Sequence, residues 1–388
     1  MTRTVARTYT LSNGIQMPSV GLGTYRVRDQ DTLDTCILEA LRAGYRLIVE
    51  THHLNMVSNV AVTLLTDTAA VYRNEAAIGN SIKRILKQNL VPGLTRADIF
   101  LTSKLAPKDQ GYDACYKAVL DSLENLQMDY IDLYLIHWPG TAKLKLPDPQ
   151  NATNRMESWH ALEDLYHAKK VRSIGVSNYT INHLTMLVER PRHDHHHHST
   201  LSSTDGSSAP AGIPRLARTM VVPHVHQFEM HPRLLQRDLL EFCDHHRIQV
   251  QAYSSLGEGR LISMTPPPPP AMDAHYNSAP MPGALDIMPD LIRKYFDSPV
   301  LPVFDLEPVM DDDEQRKADY SKRSAQILLR WGLQHGAVVI PKSTRPERIR
   351  NNLDLFSFEI DVDDMNALDA YSVEGQRTRY CWDPTEVC

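Results

Sequence analysis

Short apolar runs recur along the chain, and each is followed by a stretch with the apolar spacing of a helix. There are eight of these runs, at 19–24, 45–48, 98–103, 130–136, 172–176, 224–228, 248–253 and 337–340. A regular strand-helix alternation predicts parallel strands covered by helices. Since no second core is evident, the eight units predict an α/β fold that closes into one parallel barrel.

Helices are expected between these strands. The clearest has apolar residues at 116, 119, 120, 123 and 126, which is the i, i+3, i+4, i+7 spacing of a buried helix face. Further helices are predicted from about 32 to 43 and over 156–169, 181–188, 234–245, 320–335 and 346–353. The segment 140–155, rich in Pro, Asn and Lys, is expected to be a loop.

The chain has 388 residues, which exceeds the roughly 250 of a minimal barrel. Length alone leaves two domains possible, but the alternation favours a single barrel domain over 1–388. Before the first barrel strand, Asn13-Gly14 interrupts a polar alternation over 9–18. Asn-Gly is the strongest short signal for a β-hairpin, so an N-terminal hairpin is expected.

Three insertions interrupt the alternation, at 49–66, 190–220 and 263–318. The second contains a histidine-rich run and a Ser/Thr/Gly/Pro stretch, and the third contains five consecutive prolines and an acidic run. Neither buries enough apolar surface to offset its ordering entropy, so both are predicted to be largely disordered loops. His193–His198 could chelate a transition metal, but low complexity without fixed geometry is the favoured interpretation, and no metal is expected.

Composition excludes several classes of protein. The net charge is -6, so the chain lacks the excess of basic residues that binds nucleic acid, and it has no polybasic segment that would bind an anionic membrane. The N-terminus lacks the apolar core of a signal peptide, and no run of 18 apolar residues occurs. The five cysteines are scattered without a CxxC pair, which favours a reducing compartment. We therefore expect a soluble, cytoplasmic protein. We also expect it to be a monomer.

A carboxylate and a phenol stand five residues apart, at Asp67 and Tyr72, where an apolar run gives way to a helix. A carbonyl accepts hydride readily only if its oxygen is protonated or polarised, and an ordinary tyrosine, with a pKa of about 10, is a slow acid at neutral pH. A nearby ammonium would lower that pKa. Lys104 and His137, each closing a strand-like run, are the candidate partners. Alternatively, Asp67 caps a helix and Tyr72 only packs.

Seven motifs stand in order, each at the end of its own strand. They are G-x-G-T-Y at 21–25, D-T-A-x-x-Y at 67–72, T-S-K at 102–104, IDLYLIHWP at 131–139, G-V-S-N at 175–178, A-Y-S at 252–254 and IPKSTRPERI at 340–349. Together they resemble the aldo-keto reductases over most of the chain outside the insertions. The resemblance implies a (β/α)8 TIM barrel.

The resemblance also implies a catalytic unit. Tyr72 would be the general acid, Lys104 the ammonium that lowers the pKa of Tyr72, and Asp67 the carboxylate that holds Lys104. His137 would orient or polarise the substrate carbonyl. The implied substrate contacts are Tyr25, Tyr72, His137, Trp138 and Trp382. For Trp138, a place in the core is the alternative.

An NADPH site is implied as well. Tyr253 would stack on the nicotinamide, and its carboxamide would be held by Ser177, Asn178 and Gln227. The other implied cofactor contacts are Gly23, Thr24, Tyr25, Asp67, Ser254, Leu256, Lys342, Ser343, Thr344, Arg348 and Asn352. No Gly-rich Rossmann fingerprint is present, and the family needs none. A lysine and an arginine suit a ribose 2'-phosphate and favour NADPH over NADH, although a solvated basic face is the alternative.

The implied activity is reduction of a small aldehyde or ketone to an alcohol by NADPH. Two departures from the family concern the cofactor site: His226 stands where asparagine is commoner, and Asn351 stands where a glutamate often contacts adenine. The short tail after Tyr371 resembles members with an open pocket. The alternative is a catalytically impaired nucleotide-binding barrel with a regulatory or structural role.

The first insertion separates the second strand from Asp67. Removing 49–66 restores an uninterrupted Tyr-Arg-Leu-Ile-Asp-Thr-Ala, which suggests the hypothesis of a retained short intron or a gene-model error. The segment 60–66 also has the pattern of a strand. It could therefore replace 45–48 in the barrel and force the original run outward.

Overall fold

The computed structural model describes residues 7–27, 29–50, 74–190, 220–264, 283–296, 313–373, 377–381 and 383–388. The predictions that concern Asp67, Tyr72, His193–His198 and Trp382 therefore lie outside the described residues. Within the described ranges, no helix is long and apolar enough to cross a membrane.

Eight parallel strands follow one another around the sheet in chain order. These barrel strands are β3 (Gly21–Gly23), β4 (Leu47–Val49), β5 (Phe100–Leu105), β6 (Leu133–Ile136), β7 (Ile174–Ser177), β8 (Val225–Glu229), β9 (Gln249–Tyr253) and β10 (Val338–Val339), and they follow a separate two-stranded sheet of β1 (Thr8–Thr10) and β2 (Gln16–Pro18). Parallel bridges from Val20 to Val339 and from Gly23 to Lys342 join the first barrel strand to the last. The predicted parallel barrel is confirmed.

The predicted N-terminal hairpin is also confirmed. Strands β1 and β2 pair antiparallel, and Gly14 adopts a positive φ of 84° at the turn. Leu11 and Met17 are buried in the same apolar cluster as Leu47 and Val225 of the barrel strands. The hairpin thus adds apolar side chains to the inner core of the barrel.

Helices follow the strands and cover the barrel. They are α1 (Gln30–Ala43), α2 (Asn74–Lys87), α3 (Tyr112–Leu126), α4 (Gln150–His167), α5 (Ile181–Val188), α6 (Arg237–His245), α7 (Met288–Phe296), α8 (Asp313–Gln334), α9 (Pro346–Asn351) and α10 (Val362–Asp369). Helix α1 begins where the Asp29 side chain accepts from the Thr32 N–H and ends at Gly44, whose φ is 110°. Both are the expected end signals of a helix.

Helix α4 begins at Gln150, six residues before the predicted start at 156. The range 140–155 that was predicted to be a loop is therefore wrong in its last six residues. The first turn buries the side chain of Asn151. Its Oδ1 accepts from the Thr141 N–H at 2.8 Å, and its Nδ2 donates to the carbonyls of Lys145 and Leu146. The polar residues in this first turn bind the backbone of the preceding loop. The turn therefore has the composition of a loop, and the sequence pattern did not indicate a helix there.

The range 263–318 was expected to be largely disordered, yet it contains α7 and the first turn of α8. Helix α7 buries Met288, Leu291 and Ile292 against the core, with the i, i+3, i+4 spacing of an amphipathic helix. This apolar pattern covers only nine residues and lies between a proline-rich stretch and an acidic run, so the composition of the whole segment does not indicate a helix. Helix α10 was missed as well.

The position of the second barrel strand decides between the two alternatives left open for the first insertion. Val49 pairs with Gly23 of β3 on one side and with Thr102 of β5 on the other. The run 45–48 therefore remains in the barrel and is not displaced. The segment 60–66 lies outside the described residues.

Candidate active site

Lys104 lies near the carboxyl end of β5 and is 1 % exposed. Its Nζ donates a hydrogen bond of 2.7 Å to the backbone carbonyl of Glu50, the residue that follows β4. In parallel barrels the carboxyl ends of the strands form the face that carries the active site. The predicted ammonium therefore lies at the correct end of the barrel.

The side chain of Glu50 is also 1 % exposed. Its Oε2 lies 2.8 Å from the Ser103 hydroxyl, which lies 2.8 Å from Oε1 of Glu75 on its other side. A hydroxyl has one proton to donate, so both short contacts are satisfied when one of the two carboxyl groups is itself protonated. Asn125 donates to the second oxygen of Glu75 at 3.3 Å.

Burial and charge act in opposite directions on this pair. Burial raises the pKa of Glu50, while the charge of Lys104 and the hydrogen bond from Ser103 lower it. For Lys104 the signs are reversed, because burial lowers its pKa and the charge of Glu50 raises it. The net directions are up for the carboxyl and down for the ammonium, since both groups are removed from water.

Val49 occupies the position that directly follows Ile48, where the family resemblance places an aspartate. The valine side chain is fully buried in the inner apolar cluster of the barrel. Its place in register, between Gly23 and Thr102, is set by pairing on both sides. The charge that raises the pKa of Lys104 is that of the Glu50 carboxylate, which binds the neighbouring Ser103. Glu50 was not among the sequence candidates.

His137 and Trp138 follow β6 and are both buried. The His137 N–H donates to the carbonyl of Leu105 at 3.2 Å, which continues the pairing with β5. The Trp138 indole lies close to Gly140, and the Trp138 carbonyl accepts from Gln110 at 2.6 Å. Burial of this indole is compatible with a pocket wall and with simple core.

Three strand ends are tied together where the nicotinamide contacts were predicted. Asn178 Nδ2 donates to the carbonyl of His137 and to the hydroxyl of Ser177, both at 3.0 Å. The Tyr253 hydroxyl donates to Asn178 Oδ1 at 2.7 Å. Asn178 adopts a φ of 63°, a conformation that asparagine tolerates better than most residues. This backbone turn directs the side chain towards its neighbours on both strands.

Three further predicted contacts either follow β3 directly or lie in β8. The backbone N–H and the hydroxyl of Thr24 both bind the Val49 carbonyl at 3.1 Å, so the loop that begins the site is fixed to β4. Tyr25 is partly exposed, with the Arg26 guanidinium 4.9 Å from the centre of its ring. Gln227 is buried and donates to Gln251 at 2.6 Å.

The loop after β9 has an unusual backbone. Ser254, Gly257, Glu258 and Gly259 all adopt positive φ, between 49° and 90°. A Cβ on Gly257 would lie 2.7 Å from Leu261 and 2.8 Å from Tyr380, so glycine is required there. The Ser255 hydroxyl is buried without a hydrogen-bond partner among the residues described. A buried hydroxyl that lacks a partner is a suitable donor for a phosphate oxygen.

Basic residues follow β10 on the neighbouring side of the mouth. Lys342, Arg345 and Arg348 are all exposed, and the pKa of Arg348 is lowered by burial and by the like charge of Arg345. Such mutual repulsion among cations is relieved by an anion. Ser343 is partly buried, Thr344 is exposed, and Leu256 is partly buried. Asn352 is buried at the end of α9.

These observations fit the predicted cofactor. The hydroxyl of Ser255 and the three cations match phosphate groups, and the linked amides and phenol at the other end match an aromatic amide. Ser255 and Arg345 were not singled out from the sequence, although Ser255 lies beside the A-Y-S motif and Arg345 lies inside the last motif. Glu50 had no sequence signal, because it stands at the start of an insertion.

The carboxyl end of this parallel barrel therefore carries a buried lysine, a buried histidine and three cations that follow β10. The model of the aldo/keto reductase family matches residues 19–373. The chain therefore belongs to the aldo-keto reductase family.

Curated relatives agree with this assignment. A glyoxal reductase of Bacillus subtilis is 32% identical over 363 residues, which cover 94% of this chain and 92% of the relative. A 9,11-endoperoxide prostaglandin H2 reductase of Trypanosoma cruzi is 30% identical over 360 residues, covering 93% and 89%. Both matches extend over nearly the full length of the two chains compared.

Solved structures show the same fold. A Bombyx mori aldo-keto reductase in complex with NADP superposes with a TM-score of 0.64 and 25% identity, covering 98% of this chain and 96% of that one. A mutant of Gox0644 in complex with NADPH gives a TM-score of 0.64 and 27% identity, covering 99% and 98%. These neighbours support a nicotinamide cofactor for the family site.

Proposed function

We propose that this protein reduces an aldehyde or ketone to an alcohol with NADPH, and that Tyr72 is the general acid. The observation that carries the proposal is the buried Lys104 ammonium at the barrel mouth, with His137 on the adjacent strand. Such an ammonium would stabilise the phenolate that remains when a tyrosine has given up its proton. The glyoxal reductase among the relatives reduces a small carbonyl compound, as its name states.

The reaction needs two additions to the carbonyl group. When bound, NADPH would supply a hydride to the carbonyl carbon and would itself be oxidised to NADP+. Tyr72 gives its proton to the carbonyl oxygen, so that the C=O bond becomes a C–O single bond and the phenol becomes a phenolate. Lys104 stabilises that phenolate, and His137 holds the oxygen in place. Solvent then returns a proton to Tyr72.

Cofactor binding is assigned to two groups of residues. Asn178, Gln227 and Tyr253 would hold the nicotinamide end, and Ser255 would contact the phosphates. Lys342 and Arg348 would pair with a 2'-phosphate, which only NADPH carries, and Arg guanidinium groups bind phosphate in bidentate fashion. NADPH is therefore preferred over NADH in this proposal, and the cytoplasm, where NADPH is available, is the proposed compartment.

The experiment is a direct assay of the purified protein with NADPH and an activated aromatic aldehyde such as 4-nitrobenzaldehyde. Loss of absorbance at the nicotinamide wavelength that depends on both substrates is the expected result. Cofactor binding would be measured separately by fluorescence quenching. Tight NADPH binding without turnover of any aldehyde or ketone would favour the alternative, a nucleotide-binding barrel with a regulatory role.

A further inference from the structure

The buried charge of Lys104 requires a counter-charge. Moving an ammonium out of water costs several kcal/mol even after relaxation, and a nearby carboxylate offsets that cost. Lys104 is 1 % exposed, and the carboxylate whose charge acts on it in the described structure is that of Glu50. The same residue supplies the carbonyl that accepts from Nζ at 2.7 Å.

We propose that Glu50 is the positioning residue that keeps Lys104 protonated and seated at the barrel mouth. The inference rests on the proposed function, since it concerns the ammonium that would assist the general acid. It assigns to Glu50 a part that the family resemblance gives to Asp67. In the sequence, Glu50-Thr51 and Asp67-Thr68 are both acid-threonine pairs at the two borders of the first insertion.

Strand pairing explains how Glu50 comes to lie next to Ser103 and Lys104. Val49 is paired with Thr102, and the Glu50 N–H donates to the Thr102 carbonyl at 3.0 Å, so the chain continues in register beyond β4. This register places the Glu50 carboxylate beside Ser103 and its carbonyl beside Lys104. Glu50 therefore contacts three consecutive residues of β5, Thr102 and Lys104 through its backbone and Ser103 through its side chain.

Other titratable groups surround the Glu50 carboxylate. Glu75 of α2 shares the Ser103 hydroxyl with it. Tyr134 of β6 lies within electrostatic range of both carboxylates and of Cys115 on α3. These neighbours are acidic or neutral, whereas Lys104 is the cation that acts on Glu50. Within this group, the attraction between Glu50 and Lys104 is thus the interaction that favours both charges.

The test compares Glu50→Gln with Glu50→Asp, Glu75→Gln and Asp67→Asn. The first readout is the protonation of Lys104, followed by NMR of 13Cε-labelled lysine with Lys104→Met to assign the signal. The charge of the Glu50 carboxylate raises the pKa of Lys104, and a neighbouring opposite charge typically changes a pKa by about one to three units. We expect the Lys104 titration to move down by about one unit or more in Glu50→Gln and to recover largely in Glu50→Asp. Glu75→Gln should leave it nearly unchanged.

The second readout is the pH profile of kcat/KM for an aldehyde. In Glu50→Gln the alkaline limb should move to lower pH by the same amount, so that activity at pH 8 falls about tenfold while NADPH binding is kept. A loss of activity that is equal at every pH would mean that Glu50 is only structural, and would overturn the proposal. An unshifted Lys104 titration in Glu50→Gln, together with a shifted one in Asp67→Asn, would also overturn it.

The two readouts separate this inference from the proposed function. If the wild-type protein reduces no carbonyl compound, the reductase proposal fails, but the NMR titration still reports on Glu50 and Lys104. If Glu50→Gln does not fold, the double variant with Lys104→Met provides the test. A coupled buried pair predicts that the double variant is more stable than Glu50→Gln alone, and a double variant that is less stable would contradict the pairing.

Discussion

The hydroxyl of Tyr253 donates a hydrogen bond of 2.7 Å to Oδ1 of Asn178. The two residues stand at the ends of β9 and β7, with β8 between them. Because Nδ2 of the same asparagine donates to the His137 carbonyl at 3.0 Å, one amide links three loops of the barrel mouth. These hydrogen bonds therefore fix the orientation of the ring that would support the nicotinamide.

Replacing Tyr253 by Phe keeps the ring and removes that hydrogen bond. A net hydrogen bond contributes about 0.5 to 1.5 kcal/mol, so the Kd for NADPH should rise about two- to tenfold, with the melting temperature only slightly changed. Fluorescence quenching by NADPH measures the Kd. A matched control is Tyr166→Phe, because Tyr166 lies at the carboxyl end of α4 and packs against His224 before β8, at the opposite end of the barrel from the mouth, and it should bind NADPH normally. Normal NADPH binding in both variants would mean that the hydrogen bond between Tyr253 and Asn178 does not contribute to the cofactor site.

Tyr72→Phe should keep NADPH binding and lose most turnover. The phenyl ring fills the same space but has no proton to give, and a general acid contributes about 10² to 10⁴ in rate. The measurements are kcat with an aromatic aldehyde and the Kd for NADPH. Unchanged turnover in this variant would end the proposed mechanism.

The double variant with Lys342→Met and Arg348→Met should weaken NADPH far more than NADH. Only NADPH carries the 2'-phosphate that would form charge-assisted hydrogen bonds with these side chains. The matched control is Arg350→Met, since Arg350 lies on the same helix but pairs with Glu39 at 2.6 Å. That control should leave the ratio of the two Kd values unchanged. If both cofactors lose affinity equally in the double variant, the two residues have a structural role.

Deleting 49–66 should raise kcat/KM for a common aldehyde at least about tenfold. The deletion puts Asp67 directly after Ile48, in the position that Val49 now fills between β3 and β5. It also removes Glu50, whose part Asp67 would then take. A displacement of about 1 Å in a catalytic group can cost roughly 10²-fold, which is why restoring the spacing should increase the rate.

The barrel of the full chain should fold despite the insertion, since closing an 18-residue loop costs only about 2 to 3 kcal/mol. NADPH affinity should change less than the rate, because most proposed cofactor contacts lie on later strands. Equal or lower activity after the deletion would show that the segment is an accommodated part of this enzyme. Sequencing the transcript tests separately whether it is a retained intron.

Stability should fall in mild acid because of three buried histidines. His183 and His226 each accept a backbone N–H through one ring nitrogen, which requires the neutral form, and Nδ1 of His224 lies 3.1 Å from the backbone nitrogen and 3.0 Å from the carbonyl oxygen of Ile174. Burial lowers the pKa of His183 and of His224 to about 4, and that of His226 to about 3. Their unfolded pKa is about 6.5, so the unfolded chain takes up more protons below that pH. Stability is full above about pH 6.5 and declines as the pH falls towards 4.

Each such histidine contributes a slope of up to about 1.4 kcal/mol per pH unit. His226→Gln should therefore reduce the slope of unfolding free energy against pH, between pH 6 and 4.5, by the amount that corresponds to about one bound proton. Urea titrations at several pH values measure this slope. The control His245→Gln changes an exposed ring and should leave the slope unaltered. An equal slope in His226→Gln and in the wild type would show that His226 does not contribute to the loss of stability in acid.

Much of the architecture could be predicted from the sequence, because it depends on local patterns. Apolar runs and helical spacing marked all eight barrel strands, and Asn13-Gly14 marked the hairpin. The motifs placed Lys104, His137, Asn178 and Tyr253 at strand ends. In a parallel barrel, the strand ends meet at one face whatever the distance between them along the chain.

The tertiary structure decided what depends on pairing between distant segments. Only the neighbours β3 and β5 show that 45–48, and not another apolar run, fills the second strand position. The same pairing brings Glu50 beside Lys104 and Ser103, although 54 and 53 residues separate them along the chain. The sequence alone shows an acidic residue at the start of an insertion. Its burial against a lysine follows from strand register, which no local pattern around Glu50 encodes.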